Sequence, residues 1–154
     1  MSIAFFISPG GHLIHVPMNH ISMVIAEPEK FGLTIEEIRA AYEKHGERMG
    51  VEGEARNELV LKVIRQGWIR IRRYENYWSV TVPSLEPSIW ERLQDWAGQM
   101  LSGTKHFKEA HREMFLKIST PEGEIHSTIG DLADGTCFSE GVTPHHFPNP
   151  KNAL

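Results

Sequence analysis

The sequence predicts an α+β fold in one domain, with antiparallel β-hairpins packed against three to four helices. Three observations carry this. Three pairs of short β-branched or aromatic runs are each joined by a turn-forming cluster. Between them lie stretches whose apolar residues recur at helical spacing. The length, 154 residues, suits a single core. The domain is expected to span residues 1–130, followed by an irregular tail over 131–154 rich in Gly, Pro, Asp, His and Asn.

Taken in order, residues 3–17 form the first expected hairpin. Ile3 to Ile7 is one strand, Ser8-Pro9-Gly10-Gly11 the turn and His12 to Val16 the return. Asn19 suits the N-cap of a short helix carrying Ile21, Val24 and Ile25, which Pro28 limits. Thr34 opens a clearer helix, with Glu37 three residues on as a capping box. Ile35, Ile38, Ala41 and Tyr42 are its buried stripe, and Gly46 suits its stop. A third helix is expected from about Glu54 to Gln66, with Leu59, Val60, Val63 and Ile64 turned inward and Gly67 ending it.

The central hairpin covers residues 68–82. Side chains in a strand alternate between faces. Ile69 and Ile71 therefore share one face, and Trp68, Arg70 and Arg72 the other. In the return strand Trp78, Val80 and Val82 oppose Tyr77, Ser79 and Thr81. Glu75-Asn76 sits at the turn, where Asn tolerates positive φ. A fourth helix follows Pro87, with Ile89, Leu93, Trp96, Ala97, Met100 and Leu101 on one amphipathic face. Residues 114–119 and 124–129 make a last hairpin around Pro121-Glu122-Gly123.

The net charge of −4 excludes wholesale coating of nucleic acid, but the charge is unevenly distributed. Residues 55–73 hold six basic side chains and one acid, a local charge of +5. The preceding stretch, with eight glutamates against four basic residues, carries −4. A local basic patch is the usual electrostatic footprint of an anionic partner. The candidate binding residues are Arg56, Lys62, Arg65, Trp68, Arg70, Arg72, Arg73 and Tyr77. A helix followed by a hairpin invites a winged-helix arrangement, with the arginines on phosphates and Trp68 or Tyr77 stacked on an unpaired base. An acidic protein partner would use the same face. Arginines on a strand also simply keep an edge soluble.

No catalytic, metal-binding or cofactor-binding residues are assigned. The nine histidines include His12, His15 and His20, His106 and His111, and the adjacent His145 and His146. A metal needs several imidazoles converging on one ion, and His12 and His15, three apart in a strand, point to opposite faces. The single cysteine, Cys137, lies between Asp134 and Glu140, a poor setting for a reactive thiolate. One cysteine also excludes an internal disulfide and suits a reducing compartment. The apolar opening Ile3 to Ile7 is too short for a signal peptide and lacks a basic start, and no segment approaches about 20 apolar residues. The expected location is the cytoplasm, of a host cell if viral, or a virion, with no membrane partner.

The segments Ser8-Pro9-Gly10-Gly11, His20-Ile21, Pro28-Glu29-Lys30-Phe31-Gly32, Glu52-Gly53-Glu54-Ala55-Arg56 and Gly67-Trp68-Ile69-Arg70-Ile71-Arg72 add a family clue. On them, the chain resembles a group of small uncharacterised proteins of tailed bacteriophages, over roughly its first two thirds. The resemblance implies a viral context and transfers no activity.

Three functions are therefore expected, in descending order. The first is a non-enzymatic protein binding DNA or RNA through the basic, aromatic helix-hairpin face. The second is a virion or host-interaction protein whose face meets a protein partner or a second copy. The third is a small hydrolase or transferase using histidines near residues 12–20.

Overall fold

The alternation of apolar and polar residues is realised in a seven-stranded sheet of order β2-β1-β3-β4-β5-β6-β7. The computed structural model describes residues 3–16, 26–45, 51–102, 111–135 and 138–139. Its strands are β1 (Ile3–Ile7), β2 (Leu13–Val16), β3 (Ile69–Arg73), β4 (Tyr77–Thr81), β5 (Phe115–Thr120), β6 (Gly123–Thr128) and β7 (Phe138–Ser139). Its α-helices are α1 (Ile35–His45), α2 (Val51–Arg65), α3 (Pro87–Leu101) and α4 (Ile129–Asp134), and a 3-10 turn spans Pro28–Phe31. The fold is α+β.

Local chemistry accounts for the ends of the elements. The Thr34 hydroxyl accepts the Glu37 amide at 3.2 Å, and the Glu37 carboxylate accepts the Thr34 amide at 3.0 Å, a reciprocal capping box. Proline opens α3 at its first position, where no intrahelical N–H is needed. Gly67 takes φ 96° after α2 and feeds β3 directly. The Tyr74 amide donates to the Tyr77 carbonyl at 2.8 Å, closing the β3–β4 turn over Glu75-Asn76.

Helices cover both faces of the sheet. Phe6 and Ile7 are neighbours on β1 and so point in opposite directions. Ala4 and Phe6 pack with Phe31, Ile38, Leu59, Val63 and Trp68, beneath α1 and α2. Ile7 packs with Ile71, Trp78, Val80, Leu93, Trp96 and Ile118, beneath α3 and α4. Each face needs its own cover because β1 carries apolar residues on both sides.

One pairing breaks the antiparallel pattern. β4 and β5 run parallel, with Tyr77 beside Phe115, Ser79 beside Lys117 and Thr81 beside Ser119. α3 is the crossover that a parallel pair requires. The β3–β4 hairpin is consequently interior, with β1 on one side and β5 on the other. It is not a wing, which needs a hairpin free to reach outward.

The helix at the expected boundary between domain and tail crosses it. Residues 129–134 form α4, capped by the Thr128 hydroxyl on the Asp131 amide at 3.1 Å, and Ile129 and Leu132 are fully buried. The apolar spacing of those two residues seats the helix against α3. β7 then adds an edge strand to β6. The expected helix after Asn19, together with His20, His106, Cys137, His145 and His146, lies outside the described residues.

Candidate nucleic-acid interface

The strands carry two different faces. On the α3 side the central residues are apolar and buried: Ile69, Ile71, Trp78, Val80, Leu116, Ile118 and Ile125. The opposite face is covered by α1 and α2 over β1 and β2, where Ala4, Phe6 and Ile14 lie, and just before β3, where Trp68 lies. Beyond β1 it turns polar and aromatic. In register across the strands, Arg72 meets Ser79, then Lys117, then His126. Arg70 likewise meets Thr81, then Ser119, then Glu124. Among the described residues, none of the buried apolar side chains beneath α1 and α2 comes from β4, β5 or β6.

An aromatic row runs along one end of this face. Tyr74 and Tyr77 stack with ring planes 11° apart and centroids 4.8 Å apart. Phe115 lies 6.5 Å from Tyr77, and His126 lies 5.3 Å from Phe115. Phe115 is 39% exposed, unusual for a phenylalanine in an interior strand. The Arg72 guanidinium sits 5.2 Å from the Tyr74 ring centroid, a cation–π contact that joins the row to the basic residues.

Arg56, Arg70 and Arg72 lie near enough for their charges to interact. Burial pulls the Arg70 guanidinium below its ordinary pKa, and the positive charges of Arg72 and Arg56 add to the shift, while Tyr74 opposes it. No carboxylate forms an ion pair with Arg70 among the described residues. On the far side, Glu124 accepts from His126 at 2.6 Å and lies 3.6 Å from Lys117. The His126 hydrogen bond is the main reason that the Glu124 carboxyl lies below its ordinary pKa. The face is thus positive along β3, while at β5 and β6 the charges of Lys117 and Glu124 offset each other.

The structure brings together Arg56, Arg70, Arg72 and Tyr77 from the residues expected by sequence. The other four lie elsewhere. Trp68 is buried at 6% exposure, edge-on to Phe6 at 6.2 Å and tilted against Phe31 at 5.2 Å, so it has no surface for a base. Gly67 sets its backbone before β3 begins, and the side chain fills the gap beneath α2. Arg73 projects to the α3 side, 5.5 Å from the Trp78 ring. Lys62 pairs with Glu37 of α1. Lys62 and Arg65 lie about 120° and about 180° around α2 from Arg56, at 3.6 residues per turn, and line the outer groove with Glu58 and Gln66.

Sequence reasoning passed over Tyr74, Phe115, Lys117 and His126. Along β5, Phe115 and Lys117 point opposite to the buried Leu116 and Ile118, an alternation the sequence reading did not draw. It also lacked the parallel pairing that sets β5 beside β4.

Among the described residues, no three histidine, cysteine or acidic side chains gather as a metal site. No described helix is long and apolar enough to cross a membrane. His12 is exposed at the β1–β2 turn, and the His15 ring packs on Phe5 at 5.2 Å. Comparison with protein-family models, curated proteins and solved structures finds no match for the chain.

Proposed function

We propose that this protein binds nucleic acid without catalysing a reaction on it, through the open sheet face bounded by Arg56, Arg70 and Arg72. The observation that carries the reading is the arginine cluster. Burial and the neighbouring charges of Arg72 and Arg56 disfavour the charged form of Arg70, and a polyanion offsets that cost. Arginine suits this role because its planar fork matches phosphate and its plane stacks on rings. The adjoining aromatic row supplies a surface that phosphate alone does not need, which favours a ligand with both anionic and aromatic parts.

The phage setting implied by the sequence resemblance belongs with this proposal, as does a location in host cytoplasm or virion. The test is a titration of labelled oligonucleotides over a range of salt concentrations. Three phosphate contacts give a slope of log affinity against log salt of about −2 for a single strand. Binding at low salt that falls with that slope, and that Arg72→Gln weakens, supports the reading. Absence of binding at low salt, or affinity indifferent to both salt and Arg72→Gln, overturns it. A defined oligomer without nucleic-acid affinity moves the weight to a self-assembling or partner-binding role.

A further inference from the structure

We infer that the ligand of this face is single-stranded, with its phosphates along β3 and α2 and its bases stacked over Tyr77 and Phe115. The inference rests on the nucleic-acid reading of the same face and specifies the form of nucleic acid it takes.

Shape is the first argument. From β3 to β6 the face spans three strand spacings, about 14 Å. The major groove of B-DNA is about 12 Å wide and admits one helix or a two-stranded ribbon. A flat surface of this width, with α2 rising beside it, does not enter the groove. A duplex would touch it with phosphates only, leaving the aromatic row unused.

Charge supplies the second argument. Arg70, Arg72 and Arg56 lie along β3 and α2, whereas toward the other edge Glu124 of β6 offsets Lys117 of β5, 3.6 Å away. A phosphate backbone is drawn to the first edge, where positive charge is in excess. Its bases then extend across β4 and β5, toward Tyr77 and Phe115. Ser79, Thr81 and Ser119 line the neighbouring rows with small hydroxyl side chains that leave the path open and offer hydrogen bonds.

The rings are arranged before any ligand arrives. Tyr77 is held by its stack with Tyr74, and Phe115 is braced by His126 at 5.3 Å. His126 is itself held by Glu124. A platform already in place gives up less side-chain freedom on binding. Stacking on such rings tolerates any base, since every base has a π-face.

The experiment compares an oligothymidine of about 12 nucleotides, within the site sizes that single-strand binders use, with a duplex of the same length. It uses the wild-type protein, Phe115→Ala, Tyr77→Ala and Phe115→Tyr. The single strand is expected to bind more tightly than the duplex. Each alanine variant weakens it by about 5- to 150-fold, leaves the salt slope unchanged and leaves duplex affinity unchanged. Phe115→Tyr restores single-strand affinity because it keeps the ring. Circular dichroism confirms that the exposed Phe115 variant is folded. If the duplex binds equally well and both alanine variants are neutral, the stacking inference is overturned while the nucleic-acid reading stands. If neither oligonucleotide binds at low salt, both are overturned.

Discussion

Replacing Arg70 by methionine is expected to stabilise the protein and weaken its binding. Methionine keeps an unbranched side chain of similar reach and removes the charge. Arg70 and Arg72 are two residues apart on β3 and share a face, so their positions lie about 7 Å apart. Two unit charges at that distance repel by about 2 kcal/mol at an effective dielectric of about 20. Screening over a Debye length of about 8 Å at physiological salt reduces this to about 1 kcal/mol. Arg56 adds repulsion of the same sign, and the burial of Arg70 adds a desolvation cost. Arg70→Met should therefore gain about 1 kcal/mol, or about 2–4 °C in Tm for a domain of this size. Thermal and urea unfolding measure the gain, which should shrink in 1 M salt, where the Debye length is about 3 Å. Oligonucleotide titration should show weaker binding and a salt slope shallower by about 0.7. A loss of more than about 1 kcal/mol at every salt concentration would refute the reasoning. Arg70 would then be engaged in a compensating interaction, and the cluster would owe nothing to an anionic ligand.

Three further outcomes follow from the packing and the charge pairs. Trp68→Ala should cost about 3–5 kcal/mol in chemical denaturation, as expected for a buried aromatic, whereas Phe115→Ala should change stability by less than about 1 kcal/mol. Thr34→Ala removes the hydroxyl half of the capping box and should cost about 1 kcal/mol, measured by urea unfolding. Glu58 lies below its ordinary value of 4.5, chiefly through its hydrogen bond from His45 at 2.5 Å, and Glu124 is lowered in the same way by His126. A depressed carboxylate contributes stability that is complete above 4.5 and is lost as pH falls through the lower folded value. Unfolding followed from about pH 6 to about pH 3 should show that decline, and Glu58→Gln with Glu124→Gln should flatten it.

Local patterns made much of the fold legible. Thr34 and Glu37 announce the start of α1 because a capping box needs only four consecutive residues. The alternation of Ile69 and Ile71 with Arg70 and Arg72 sorts the faces of β3 because strand period is a backbone property. The same alternation sets Tyr77 opposite in direction to Trp78. These are short-range facts, and a single chain states them.

The tertiary structure alone decided which faces meet. Trp68 alternates with the arginines, yet it lies buried under α2 because it precedes the strand at the point where the helix crosses. Lys62 and Arg65 belong to the same basic stretch as Arg56 but turn away around the helix, since charge counted along a chain carries no angle. The aromatic row needs β5 beside β4, and that pairing joins residues nearly forty positions apart through a helical crossover. No local preference encodes it. It follows from burying α3 against one side of the sheet, which leaves Tyr77, Phe115 and the arginines together on the other.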